Sequence, residues 1–133
     1  MLLTKESDYG IRIIRTLSSV NDIRTVREIC DAEHIPNQYA YKILKRLEKA
    51  GFVQSLRGRD GGYRLAKSVK SFTLYDVINA LDGDFAVFEC LRDDNHCVFK
   101  DSESPCSVHL EFDRLQNLLV DEMQRVTFNK LLE

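Results

Sequence analysis

Residues Ile35–Lys67 read IPNQYAYKILKRLEKAGFVQSLRGRDGGYRLAK. Pro36 suits the first turn of a helix, where its missing N–H costs nothing. Tyr39, Ile43, Leu44 and Leu47 recur at three- and four-residue spacing and define a buried stripe. Lys42, Lys45, Arg46 and Lys49 fall off that stripe, towards solvent. Gly51 is placed to end the helix, because it takes the left-handed conformation without a Cβ clash. Phe52, Val53 and Leu56 open an extended segment, Arg57–Gly62 is a turn, and Tyr63, Arg64 and Leu65 return. A basic helix followed by a basic-tipped hairpin predicts a winged helix-turn-helix. In that arrangement the helix enters a major groove and the hairpin reaches phosphates or the adjacent minor groove.

Charge separates this reading from an ordinary amphipathic helix with a hairpin. Residues 36–67 hold eight Lys or Arg against two acids, whereas residues 82–133 hold five against twelve. The formal net charge of −2 therefore conceals a dipolar chain with one end suited to a polyanion.

The flanking segments complete the unit. Thr4 is placed to cap a first helix, with Glu6 and Asp8 near its positive end. Tyr9, Ile13, Leu17 and Val20, with Ile14 beside them, form its apolar side, and Arg12 and Arg15 are available for a phosphate or a partner subunit. Asn21-Asp22 ends it. Thr25 and Glu28 form a capping box for a second helix with Val26, Ile29 and Cys30 facing inward. Past the hairpin, Thr73 and Asp76 cap a fourth helix whose buried side is Leu74, Val77, Ile78 and Leu81, closed by Gly83.

An irregular segment, Asp84 to Pro105, follows, and then one long helix from Ser107. Val108, Phe112, Leu115, Leu119, Met123 and Val126 line that helix, with Leu131 and Leu132 beyond. A chain of 133 residues has little left for so long a stripe to cover, which predicts a homodimer reading a pseudopalindromic double-stranded operator. The expected organisation is mainly α with a small β-hairpin wing: a DNA-binding unit over 1–83, a cysteine-bearing loop over 84–106, and a dimerisation helix over 107–133.

No apolar run approaches the ~20 residues of a membrane span, and the first ten residues lack a secretory pattern, so a cytoplasmic protein is expected. The four cysteines then read as thiols, ligands or core residues rather than disulfides, and Cys30 as a small core residue. Cys90, Cys97 and Cys106 are separated by six and eight residues, looser than zinc-finger pairs and closer to thiolates gathered around an iron–sulfur cluster. His109, three residues after Cys106, can point into the same site, and His96 adjoins Cys97. A Cys₃His zinc site and three unconnected thiols remain open. No phosphate-binding loop, paired catalytic carboxylates or His-x-x-x-His is present, so an enzyme is not expected. A small redox or metal-transfer protein would leave the basic helix and hairpin without a role.

The segments LTKESDYGIRII and IPNQYAYKILKRLEKAGFVQSLRGRDGGY, followed by C(x₆)C(x₈)C before a long helix, resemble the Rrf-two family of bacterial winged-helix regulators in its iron–sulfur cluster type. The resemblance covers nearly the whole chain. It implies a homodimeric DNA-binding protein, usually a repressor, whose operator affinity depends on a cluster that senses redox, nitric oxide or iron status. It places base reading on Asn37, Gln38, Tyr39, Tyr41 and Lys42, with Gln38 suited to adenine and Lys42 to guanine. Tyr39 competes for a core role. Lys45 and Arg46 add charge to the same helix, and the wing contact falls on Arg57, with Arg59 alongside. The cluster ligands fall on Cys90, Cys97 and Cys106, with His109 as the fourth. The alternative fourth ligand is Asp8, donated from the first helix of the other subunit. Cluster type, 2Fe–2S or 4Fe–4S, is left open by the long second gap. Relatives without the cysteines exist, so zinc-bound or thiol-switch cysteines are the alternative.

Overall fold

The computed structural model describes residues 3–19, 22–99 and 103–133. Among these residues, five α-helices and one two-stranded antiparallel sheet follow in the order α1 (Lys5–Ser18), α2 (Val26–Glu33), α3 (Asn37–Lys49), β1 (Val53–Leu56), β2 (Gly62–Leu65), α4 (Leu74–Asp82) and α5 (Ser107–Arg125). Among the described residues, no helix is long and apolar enough to cross a membrane.

Local chemistry sets the ends of these helices. The Thr4 hydroxyl accepts from the Ser7 N–H, and full capping boxes form at Thr25/Glu28 and Thr73/Asp76. At the end of α3, Gly51 takes φ +83°; its N–H donates to the Glu48 carbonyl and the Phe52 N–H to the Leu47 carbonyl, 3.0 and 2.9 Å away. Those two bonds satisfy carbonyls the helix leaves unpaired, and they turn the chain directly into β1 with Phe52 buried over Leu47. Pro36 stands one position earlier than expected. It is the N-cap, with ψ 136°, and Asn37 is the first helical residue.

α1 packs against α2, α3 and α4. Ile13, Ile14 and Leu17 from α1, Ile29 from α2, Ala40, Ile43, Leu44 and Leu47 from α3, Val53 from β1 and Val77 and Leu81 from α4 share one core with almost no exposure. Gly10 permits the closest approach in it: a Cβ there would lie 2.2 Å from Leu81 Cδ1. Arg24 forms an isolated bridge to Tyr63, with N–H to carbonyl distances of 2.8 Å in both directions, so the α1–α2 connection extends the wing. Gly62 makes that bridge possible, since a Cβ would meet the Arg24 carbonyl oxygen at 2.4 Å. Val20 and Asn21 lie outside the described residues.

Two expectations are corrected. Arg15 is engaged within its own chain: its Nε donates to Glu33 at 3.1 Å, and Thr16 donates to the same carboxylate at 2.7 Å. Arg12 pairs with Asp8 across one turn on the exposed side of α1, a contact that leaves it open to exchange. The C-terminal helix also stops at Arg125 rather than running to residue 133. Val126 is extended, Thr127 bridges Thr73, and Phe128–Leu132 forms a 3₁₀ turn. The Phe128 N–H donates to the Phe72 carbonyl at 2.8 Å, and its ring, fully buried, lies 5.4 Å from that of Phe72. Burial of this aromatic ring in the winged unit outweighs one more turn of solvent-exposed helix.

Candidate nucleic-acid interface and cysteine pocket

The polar face of α3 carries the basic interface. Asn37, Gln38, Tyr41, Lys42, Lys45 and Arg46 are all exposed, and Tyr41 is 57% accessible despite its aromatic ring. A cleft of about 420 Å³ between α3 and the wing is lined by Tyr41, Lys42, Lys45 and Tyr63. Two phenol rings between two ammonium groups suit a sugar–phosphate or base edge. Burial pushes the Tyr63 phenol up from its ordinary value, keeping it a neutral donor. Arg57 and Arg59 project from the wing turn and are exposed. Tyr39 divides from this set. It is half-buried, edge-on to Tyr9 with centroids 5.7 Å apart, so its ring fastens α3 to α1.

Glu6 is part of this surface and no local pattern announces it. Its two carboxylate oxygens accept from Lys42 Nζ and Arg46 Nη1. The Lys42 hydrogen bond holds the Glu6 carboxyl below the usual carboxylate range, against the opposing effect of burial. The partners are 36 and 40 residues distant in the chain, which is why periodicity and capping rules are silent about them.

The three cysteines of the 84–106 segment gather at the start of α5. Cys90, Cys97, Cys106 and His109 line one pocket of about 270 Å³, completed by Phe99, Glu103 and Pro105. Cys106 is the N-cap of α5, and His109 stands in its first turn, which brings the imidazole to the thiol side. Over its described residues the segment is irregular apart from a 3₁₀ turn at Glu89–Leu91. It is pinned by Phe88 stacking on Phe112, by Phe85 edge-on to Tyr75, and by the Val87 N–H donating to Gln116 at 2.9 Å. Glu103 is a further oxygen ligand type in the wall that the cysteine spacing did not single out. His96 is exposed and does not line the pocket. Asp8 does not line it either within its own chain; its carboxylate is held by Arg12, 2.9 Å away.

The donor set fits an iron–sulfur group. Three thiols and an imidazole are the ligands such clusters use, and all four line the one pocket of about 270 Å³. Among the described residues no three His, Cys, Asp or Glu side chains close on a point that could hold one metal ion.

Across α5, Phe112, Leu119 and Met123 are half-buried, while Val108, Leu115 and Leu118 are 39–55% exposed. The expected stripe is therefore divided: one side lies on this chain, and an adjoining apolar strip faces outward.

Basic helix, wing, cysteine pocket and long amphipathic helix together are the parts of a winged-helix transcriptional regulator. The family model described as "Rrf2: Iron-dependent Transcriptional regulator" matches residues 3–133, and the chain belongs to that family. It is a transcriptional regulator, not an enzyme, and that role implies DNA binding. It is similar to the HTH-type transcriptional regulator NsrR of Bacillus licheniformis, 28% identical over 136 residues, covering 99% of this chain and 92% of the relative. Among solved structures, CymR, the global cysteine regulator of B. subtilis, has a TM-score of 0.77 at 22% identity, with 99% of this chain and 96% of that one covered. The T. potens IscR has a TM-score of 0.76 at 17% identity, covering 99% and 86%. These two likenesses are likenesses of fold.

Proposed function

We propose that the chain is a homodimeric, cytoplasmic repressor whose operator affinity is set by an iron–sulfur cluster held by Cys90, Cys97, Cys106 and His109. The observation that carries the reading is the single pocket lined by those three thiols and that imidazole. Bound there, the cluster supplies a centre sensitive to oxidant, nitric oxide or iron supply. Ligation there would tie Cys90 and Cys97 to Cys106 and His109 at the start of α5, and loss of the group would release that tie. The exposed strip of Val108, Leu115 and Leu118 supports pairing of α5 with a second copy, which would place two α3 helices on a two-fold operator. Asn37, Gln38, Tyr41, Lys42 and Lys45 then read or approach bases, and Arg57 and Arg59 contact phosphate or minor groove.

Anaerobic purification followed by an absorption spectrum with iron, sulfide and zinc analysis tests this. Visible charge-transfer bands with matching iron and sulfide, lost in Cys97→Ala, are expected. His109→Ala should retain a weakened centre, separating His109 from Asp8 as fourth ligand. A colourless protein with one zinc per chain, or with reversible disulfides and no metal, would replace the cluster by a zinc or thiol switch and leave the DNA-binding role standing.

A further inference from the structure

The first turn of α1 joins two regions that are far apart in the chain. On one side Glu6 accepts from both Lys42 and Arg46, one helical turn apart on the exposed face of α3. Its own side chain is only 19% exposed, whereas those of Lys42 and Arg46 are 61% and 45% exposed. On the other side the Asp82 carboxylate accepts from Thr4 Oγ1 and, at 2.7 Å, from Ser7 Oγ. Ser7 is fully buried, so this second contact is shielded from water. Thr4 works in both directions, capping α1 through the Ser7 N–H while donating to Asp82. Asp82 is the last residue of α4, and after Gly83 the chain enters the cysteine segment.

Glu6 therefore brings an acceptor and a negative charge to this surface, and it engages two exposed cations of α3. A phosphate and the Glu6 carboxylate compete for the same N–H donors. Exposed ion pairs contribute little to stability, so the pairing is readily exchanged, but the carboxylate charge stays beside the path of the phosphates. Thr4, Ser7 and Asp82 hold the turn that carries it.

We infer that Glu6 is a positioning residue that restrains Lys42 and Arg46, and that Asp82, through Thr4 and Ser7, holds it in place. This rests on the DNA-binding role assigned to α3 above. The restraint weakens binding to all duplexes and sharpens preference for a site able to draw both cations away. It also sits at the root of the cysteine segment, where a rearrangement of that segment reaches it through Asp82.

The test is titration of a mixed-sequence DNA duplex over a range of salt concentrations by the full chain and its variants. Glu6→Gln should bind more tightly, and the slope of log K against log salt should steepen by about one to two counterions. Glu6→Asp, which keeps the charge with a shorter reach, should fall between Glu6→Gln and wild type. Asp82→Asn should shift binding in the same direction although it touches neither cation, and the double variant should go little beyond Glu6→Gln alone. A merely structural role for Glu6 would change the melting temperature and leave the salt slope alone. Wild-type affinity and slope in Glu6→Gln, or weaker binding, overturns the restraint. Additive effects of the two changes overturn the part played by Asp82. Arg57→Ala in the same titration separates this from the underlying role: if wild type itself shows no salt-dependent binding, both fall together.

Discussion

The ring of Phe88 lies flat on the ring of Phe112, with centroids 3.5 Å apart and planes 7° from parallel. Phe88 precedes Cys90 by two residues, and Phe112 follows His109 by three, so this stack holds the two walls of the cysteine pocket together. Phe88→Ala should cost about 1–2 kcal/mol of stability, the scale of a half-buried ring with its aromatic partner. Its larger effect should fall on the pocket. Alkylation of the Cys90, Cys97 and Cys106 thiols should accelerate several-fold in metal-free protein, while buried Cys30 stays protected. Equal protection in the variant would show that the stack does not organise the pocket.

Glu33 is only 8% exposed and is shared by Arg15 and Thr16. Burial pushes its carboxyl up, but the hydrogen bonds from Arg15 and Thr16, aided by the charges of Arg15 and Arg12, outweigh it and leave the group below its ordinary value. A lowered folded-state value stabilises the fold fully above the unfolded glutamate pKa of about 4.3, and that contribution is lost as pH falls through the lower folded value. Glu33→Gln should therefore destabilise the protein by about 2 kcal/mol at neutral pH. The gap to wild type should close on acidification below about pH 4. Urea midpoints measured against pH check this.

Phe128 is fully buried although it lies five residues from the C-terminus. Phe128→Ala should cost about 3–5 kcal/mol. The loss should be felt in the winged unit, because Phe128 contacts Phe72, which in turn stacks edge-on to Phe52 at 4.9 Å. Hydrogen exchange of β1 and of the start of α4 should speed up along with that of the C-terminus.

Gly10→Ala would ordinarily favour a helix by up to about 1 kcal/mol. Here the added methyl meets Leu81, itself 1% exposed with nowhere to turn. A net destabilisation of about 1–3 kcal/mol is expected, measured by thermal unfolding. Because Leu81→Ala removes the atom the methyl meets, the double variant should lose less than the sum of the two single losses, which an additive outcome would contradict.

Arg57→Ala should weaken DNA binding roughly uniformly across sequences and lower the salt slope by about one. Gln38→Ala should instead relax sequence preference, with a cost of about 1–3 kcal/mol at the operator alone.

The helix caps, the glycine-ended α3, the two wing strands and the basic face were legible in the sequence, because each depends on residues within a few positions of one another. Thr25 needs only Glu28, and the turn at Gly51 needs only Leu47, Glu48 and Phe52. The same locality made the three cysteines and His109 visible as one candidate site. What those side chains meet followed from the packing of the helices. That packing paired Arg15 with Glu33 where a free cation was expected, turned the chain at Val126 to bury Phe128, and set Glu6 against Lys42 and Arg46. Each of these joins groups from different helices, and side-chain partners across a core depend on how the helices cross rather than on any spacing along the chain.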